Sequence, residues 1–220
     1  MTTNSKSDLK QLIQYTKKQA ADAHADLDQR MSEIPSACRA GCSACCYQMV
    51  SVHTWEEGLI AGYIKGTMHA KTKAKVRRQM VAWWRYLKGT LRPSTRENPI
   101  SLAESKQLTM RMIYDQVMCP FLVDEHCSIY PVRPAMCRAH VVPSEPELCT
   151  SEPGRVGDLG AASHLLATFG PVSPHLPIDR YYHAMKPLAF AMTGAVGVAV
   201  PSTPMEGVML GDLLPTAIRR

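Results

Sequence analysis

All eight cysteines of this 220-residue chain fall into two blocks, and their placement restricts the fold more than any other feature. The first block puts four of them into the nine residues CRAGCSACC, at positions 38–46, and the second spreads four over residues 119–149. In chain order they are Cys38, Cys42, Cys45 and Cys46, then Cys119, Cys127, Cys137 and Cys149. Four thiols in nine residues are far more than the packing of small apolar side chains requires, so the pattern indicates metal or redox chemistry.

The compartment decides between metal ligation and disulfide bonding. The N-terminal residues MTTNSKSDLKQLIQY are polar and then amphipathic, and they lack the apolar segment of a secretory signal. The most apolar stretch, AFAMTGAVGVAV, is too short and too rich in glycine to span a bilayer. We therefore expect a soluble cytoplasmic protein with no membrane partner, in which thiols stay reduced and metal ligation is favoured over a disulfide framework.

Hydrophobic periodicity predicts a mostly α fold, in which a helical scaffold carries an irregular cysteine-rich lobe. Apolar residues that recur about every 3.6 positions predict helices over 7–33, 54–65, 70–88 and 101–117. TWEE, with Glu57 at its third helical position, and SLAE at 101–104 both have the form of a capping box. Two shorter helices are predicted near 158–168 and 179–191, and no alternation typical of strands is present.

The cysteine-rich segments themselves predict loops and turns. Gly41 is free to take a positive φ angle in the first block, which we expect to form a loop with a short turn. Prolines alternate with cysteines over residues 119–153, and Asp124 with Glu125 predicts a polar turn tip. We expect one cysteine-cluster domain over 1–170, including the N-terminal amphipathic helix, followed by a partly helical Pro/Gly-rich extension over 171–220.

The spacing of the thiols leaves several metal sites open. In C-x3-C-x2-C-C the short loops allow two thiolates to reach one ion, but the side chains of Cys45 and Cys46 tend to diverge. Either this pair serves two centres, or one cysteine ligates while the other has a redox or supporting role. The second block must fold back onto the first. Eight thiols suit two S4 sites, or one [4Fe–4S] cluster and a further site, with iron–sulfur slightly favoured over zinc.

Charged and aromatic neighbours of the cysteines have two interpretations each. Arg39, Arg133 and Arg138 either donate hydrogen bonds to sulfur and neutralise it, or are ordinary surface residues. His126 and His140 are alternative ligands, less favoured than the thiols beside them. We expect His53, just before a helix, to be a capping or surface residue.

The segments CRAGCSACCYQMVSV and CPFLVDEHCSIYPVRPAMCR, followed by a last cysteine, resemble the CxxCxxCC family, also called YkgJ-like, whose domains are described as zinc- or iron-chelating. The resemblance covers about residues 38–149 and implies that all eight cysteines are metal ligands. The first gap holds three residues where the family label implies two. Flagellin lysine N-methylases resemble this family more distantly, which implies an alternative function as a metal-cluster-dependent, methyltransferase-like enzyme acting on protein lysine.

The net charge of +6 is concentrated in residues 65–96, which contain ten Lys or Arg and no acidic residue. Tryptophans and a tyrosine occur in the same segment, and cations mixed with aromatic rings suit phosphate contact and base stacking. A module that binds nucleic acid or a protein partner through this segment is therefore a further alternative. The favoured interpretation is a solvated helix face whose apolar stripe enters the core, with the members Met80, Trp83, Trp84 and Leu87.

Overall fold

The computed structural model describes residues 5–34, 36, 38, 41–90, 101–140 and 185–198 of the chain. Helices dominate these residues, which confirms the predicted mostly α class. The longer helices are α1 (Ser5–Ser32), α2 (Thr54–Gly66), α3 (Ala70–Thr90) and α4 (Leu102–Tyr114). The shorter ones are α5 (Ala135–Ala139), α6 (Leu188–Ala191) and α7 (Thr193–Val196). The four helices predicted from periodicity are confirmed, with ends that differ by a few residues.

Capping boxes were predicted at the starts of α2 and α4, and the structure places one of them as predicted and the other one residue away. Ser101 caps α4 as predicted, because its Oγ accepts the N–H of Glu104 at 3.2 Å and Glu104 Oε2 accepts the N–H of Ser101 at 2.8 Å. At α2 the predicted box is wrong by one residue. His53, extended at the end of a strand, is the N-cap, so the third helical position belongs to Glu56 and not to Glu57.

Two small antiparallel sheets were missed by the sequence patterns. Strand β1 (Ser51–His53) pairs with β4 (Met185–Pro187), and Val52 lies opposite Lys186. Strand β2 (Leu122–Val123) pairs with β3 (His126–Cys127) as a hairpin. Strands of two or three residues are too short to show alternation. The helix predicted over 179–191 is wrong at 185–187, because these residues pair with β1 and Pro187 caps a helix that begins at Leu188.

The main core lies between α2, α3, α4 and the C-terminal helices. The predicted stripe of α3 is buried at Met80, Trp83 and Leu87, while Trp84 is half-buried beside Phe190 at 6.0 Å between ring centroids. From the other elements the core takes Val52, Ile60, Ile64, Leu108, Met112, Phe121, Leu188, Met192 and Val196. Within α3, the predicted apolar stripe therefore enters the core at three of its four members.

A second cluster attaches α1 to the cysteine-rich lobe. Small side chains at Ala20 and Ala23 of α1 meet Ala135 and Ala139 of α5, and this contact also includes Leu27, Met31 and Trp55. Because alanine side chains are short, the two helix backbones can approach closely. The N-terminal helix is thus packed against the short helix that carries Cys137.

The predicted domain boundary between residues 170 and 171 lies outside the residues that the structure describes, as does the helix predicted near 158–168, and both stay predictions. The described stretch 185–198 packs into the main core through Leu188, Met192 and Val196. In the described ranges no helix combines the length and apolarity that crossing a bilayer requires.

Candidate metal centre

Residues 41–46 of the first cysteine block form a turn and a short helix. Gly41 takes a φ of +87°, as predicted for this position, and a short 3₁₀ helix follows over Ala44–Tyr47. This helix carries both Cys45 and Cys46, and the N–H of Cys46 donates to the carbonyl of Ser43 at 2.8 Å. Both thiols of the adjacent pair are therefore presented from a single turn.

The second block returns to the first through main-chain contacts. The N–H of Cys119 donates to the carbonyl oxygen of Cys46 at 2.7 Å. A hairpin then follows in which Cys127 lies opposite Leu122. Asp124 and Glu125 connect its strands with φ angles of 50° and 62°, which confirms the predicted turn tip and is typical of a two-residue type I′ turn.

Cys137 reaches the same region from α5. Pro134 precedes the helix as its N-cap, and the N–H of Arg138 donates to the Pro134 carbonyl at 3.0 Å. Local structure therefore explains two of the sequence motifs around the second cysteine block. The hairpin carries Cys127, and Arg-Pro precedes the helix that carries Cys137.

Four thiols influence one another electrostatically in every pairwise combination. They are Cys45, Cys119, Cys127 and Cys137. Burial raises the pKa of Cys119 to about 12, and burial also raises the pKa of Cys127. Burial, followed by the charges of the other three cysteines, raises the pKa of Cys137. Because these sites are poorly solvated and the thiolate charges repel one another, Cys119, Cys127 and Cys137 hold their protons more firmly than free cysteines do.

Cys45 and Cys46 form a hydrogen-bonded pair at the edge of this group. The hydrogen bond from Cys46 lowers the pKa of Cys45 to about 7, against the opposing effect of burial. The same bond raises the pKa of Cys46, and burial and the charges of Cys119 and Cys137 add to that rise. The pair therefore favours a thiolate at Cys45 and a protonated thiol at Cys46.

Nearby backbone groups favour the thiolate forms of two cysteines. Hydrogen bonding from Phe121 and Leu122 lowers the pKa of Cys119, and hydrogen bonding from Ile129 lowers that of Cys127, each against the larger effect of burial. The N–H of Leu122 also donates to the Cys119 carbonyl oxygen at 3.0 Å. Hydrogen bonds to sulfur stabilise the thiolate, and they are also a means by which proteins adjust metal–thiolate centres.

The remaining predicted ligands differ in exposure. Cys38 is exposed and Cys42 is half-buried. Cys149 lies outside the residues that the structure describes. In the described ranges, no three Cys, His, Asp or Glu side chains are arranged to hold one metal ion.

The arginines near the cysteines have different roles. The charge of Arg133 lowers the pKa of Cys45 and of Cys127, and its guanidinium also lies 4.1 Å from the centre of the Tyr130 ring. For Arg138 the interpretation as an ordinary surface residue is wrong, because its side chain is buried. It is 5% exposed and donates to the carbonyls of Arg133 and Pro131 at 2.9 and 2.7 Å. Arg39 lies outside the described residues.

The two histidines predicted as alternative ligands have different surroundings. The Nδ1 atom of His126 lies 2.7 Å from the carbonyl oxygen of Asp124, on the exposed side of the hairpin. His140 is half-buried, and burial lowers its pKa. His53 is the N-cap residue of α2, which confirms the predicted capping role.

Sequence patterns missed Glu56, a fully buried carboxylate behind the lobe. Its Oε1 accepts from His24 Nε2 at 2.7 Å and from the N–H of Ala135 at 2.5 Å, and its Oε2 accepts from the N–H of His53 at 3.0 Å. Burial works to raise the pKa of Glu56, but the hydrogen bond and charge of His24 and the charge of His53 hold it below its usual value. One signal was available, because His24 interrupts the apolar stripe of α1 at a position that faces the core.

The basic helix α3 supports the lobe from the other side. Lys75 Nζ lies 2.6 Å from Asp124 Oδ2, and Gln79 Nε2 donates to the carbonyl of Leu122 at 2.8 Å. Arg77 Nε donates to the carbonyl of Val196 at 3.0 Å. Part of this positive charge is therefore used to hold the hairpin and the C-terminal helices.

Comparison with known proteins gives one family. The sequence model of the CxxCxxCC family, described as "Putative zinc- or iron-chelating domain", matches residues 37–152, slightly more than half of the chain. The matched segment contains all eight cysteines and begins after α1. Neither a curated protein nor a solved structure matches the chain significantly.

Proposed function

Because the chain belongs to the CxxCxxCC family of zinc- or iron-chelating domains, we propose that its cysteine thiolates hold zinc or an iron–sulfur cluster in a structural or redox role. The proposal rests on one observation above all, the mutual interaction of Cys45, Cys119, Cys127 and Cys137 in all pairs. In this proposal, these four thiols would supply the donor set of an S4 centre.

The chemistry of this donor set fits a thiophilic metal. Thiols with raised pKa values lie close together where solvation is poor, and a cation at their centre would turn this repulsion into attraction. Backbone hydrogen bonding favours the thiolate form of Cys119 and Cys127, and the charge of Arg133 favours that of Cys45 and Cys127. Metal binding would release the thiol protons and contribute its binding free energy to the folding of the lobe.

The other four cysteines make up a second set in this proposal. Cys46, turned into the proton donor of the adjacent pair, would join Cys38, Cys42 and Cys149 at a second centre. With this division, the adjacent cysteines Cys45 and Cys46 bind different centres, which is one of the two possibilities that their spacing left open. It also agrees with two S4 sites, or with one [4Fe–4S] cluster and a further site.

The metal determines the chemistry. A zinc ion in four thiolates has no redox activity and fixes the lobe, whereas an iron–sulfur cluster carries electrons. We slightly favour iron–sulfur over zinc, because the dense first block resembles cluster ligation more than the paired knuckles of zinc fingers. The methyltransferase-like and nucleic-acid alternatives are not tested by the contacts above, and both stay predictions.

The experiment is anaerobic purification of the full chain, followed by elemental analysis, a sulfide assay and an absorption spectrum. Iron with acid-labile sulfide and a broad visible absorption band would support an iron–sulfur cluster, and a colourless protein with stoichiometric zinc would support a structural zinc site. A protein without either metal that also fails to take up iron with sulfide, or zinc, under anaerobic conditions would refute the proposal.

A further inference from the structure

We propose that Glu56 is a positioning residue for the metal centre: it fixes the start of α5, and therefore the Cys137 thiolate, against the N-terminal helix α1. The inference rests on the proposed function, in which Cys137 is a ligand. Helix α1 ends at Ser32 and the family match begins at residue 37, so a helix outside the matched domain would help to fix the position of a metal ligand.

The first argument is the set of donors around the Glu56 carboxylate. Oε1 receives the Nε2–H of His24 from α1 at 2.7 Å and the N–H of Ala135 from α5 at 2.5 Å, while Oε2 receives the N–H of His53 at 3.0 Å. Glu56 is 0% exposed. A carboxylate buried this deeply is stable only while its donors stay in place, so the three elements that supply them are held together.

The second argument is the position of Ala135. It is the first residue of α5, where the backbone N–H has no acceptor inside the helix and needs one from outside. Glu56 supplies that acceptor. Cys137 follows two residues later on a helix of only five residues, so fixing the first N–H also fixes where its sulfur lies.

The third argument comes from the other side of Cys137. The next residue, Arg138, forms an ion pair with Asp28 of α1, and Arg133 Nη2 lies 3.8 Å from the other carboxylate oxygen of Asp28. Between these polar contacts, Ala135 and Ala139 pack against the alanine stripe of α1. Residues on both sides of Cys137 therefore bind α1, directly or through Glu56.

The experiment compares Glu56→Gln with Glu104→Gln in the full chain, with Zn²⁺ and Co²⁺ as probes under anaerobic conditions. Both residues are capping-box glutamates at the third helical position, but Glu104 belongs to α4 and its carboxylate accepts from Ser101. We expect Glu56→Gln to release Zn²⁺ to a chelator about 10- to 100-fold faster than wild type, the usual cost of losing a residue that supports a ligand. We expect Glu104→Gln to match wild type.

The Co²⁺ spectrum separates positioning from general loss of stability. The sulfur-to-cobalt charge-transfer band grows with the number of thiolate ligands, so a misplaced Cys137 should lower its intensity in Glu56→Gln as it does in Cys137→Ser. A change in global stability alone leaves the number of thiolates in the folded protein unchanged. If Glu56→Gln does not fold, Asp28→Asn replaces it, with Asp26→Asn as the control on the same helix, because Asp26 pairs only with Arg30 among the contacts described for its carboxylate.

The outcomes are distinct. Faster Zn²⁺ release and a weaker cobalt band in Glu56→Gln, or in Asp28→Asn where that variant decides, support the inference if the controls match wild type. Binding of both ions by wild type together with unchanged variants overturns the inference alone. A wild-type protein that takes up neither Zn²⁺ nor Co²⁺, nor iron with sulfide, overturns the proposed function and the inference with it.

Discussion

The main-chain N–H of Cys119 donates a 2.7 Å hydrogen bond to the carbonyl oxygen of Cys46, so the two cysteine blocks are joined backbone to backbone. The bond leaves both side chains free for other chemistry. Cys46 occupies the 3₁₀ helix of the first block and Cys119 opens the hairpin of the second. The approach of the two blocks is thus built into the main chain, and the thiols need only complete the site.

Replacement of Cys137 by serine tests the inner set of thiols. We expect Cys137→Ser to lower the metal content per chain and the melting temperature, because a buried donor is lost from the group that interacts in all pairs. Elemental analysis and thermal unfolding monitored by circular dichroism measure the two effects.

Cys42→Ser should also lower the metal content, through the second set, while the inner centre keeps its spectrum. Full metal content together with an unchanged melting temperature would show that the residue replaced is not a ligand.

Local signals in the sequence predicted most of the scaffold. The apolar stripes and the Ser101–Glu104 capping box depend only on residues near one another in the chain, and they predicted α1 to α4 correctly. Gly41 was likewise predictable because glycine tolerates a positive φ angle, and the Asp124–Glu125 turn was predictable from its polar residues.

What the sequence could not predict depends on distant partners. Strand β1 exists because residues 185–187 pair with it, and no local alternation marks three residues as a strand. Glu56 looks like any acidic residue in the first turn of a helix, and only the approach of His24 and Ala135 makes it buried. Arg138 is similar, since Asp28 and two carbonyls supply the partners that allow a guanidinium to leave water.

The pKa values of the thiols predict how the metal-free protein responds to alkaline pH. The folded pKa of Cys119 is raised from 9.0 to about 12, so the folded state keeps a proton that the unfolded state releases. A raised folded pKa contributes stability below the unfolded pKa, and this contribution is lost as the pH rises from 9.0 towards 12. We therefore expect the metal-free protein to become less stable over that window, which urea unfolding at a series of pH values would measure.

Cys119→Ser is the control for this pH dependence. Its metal-free form should lose less stability than metal-free wild type over the same pH window, because it lacks one of the thiols whose pKa is raised by folding. If the free energy of unfolding depends on pH in the same way in both proteins, the pKa of Cys119 is not raised by burial.

The hairpin turn offers a test that couples backbone geometry to the site. Glu125 has a φ of 62°, a conformation that costs a non-glycine residue about 1–2 kcal/mol, and Asp-Gly is a preferred sequence for this type of turn. We expect Glu125→Gly to raise the free energy of unfolding by about 0.5–1 kcal/mol, after the entropy that glycine gains in the unfolded chain is subtracted. Because the hairpin carries Cys127, metal release should also slow.

Glu125→Ala is the matched variant for the turn, since it removes the same carboxylate without adding conformational freedom. Urea unfolding of the three proteins separates the two effects. If alanine stabilises the protein as much as glycine does, the left-handed conformation of Glu125 is not the cause.

Two glycines near the C-terminal helices test whether residues 185–198 belong to the fold that supports the site. Gly197 has a φ of +74°, and a Cβ there would lie 2.9 Å from Arg77 Nη2, whereas a Cβ at Gly194 meets nothing within 4 Å. Arg77 also donates to the carbonyl of Val196, so displacing it loosens the attachment of α7 to α3.

We expect Gly197→Ala to cost about 1–2 kcal/mol of unfolding free energy, and Gly194→Ala to be neutral or stabilising by up to about 1 kcal/mol. Denaturant unfolding measures both, and equal stabilities for the two variants would mean that this segment contributes little to the cooperative fold. A loss confined to Gly197→Ala would instead tie α7 to the same unfolding unit as α3 and the hairpin that α3 supports.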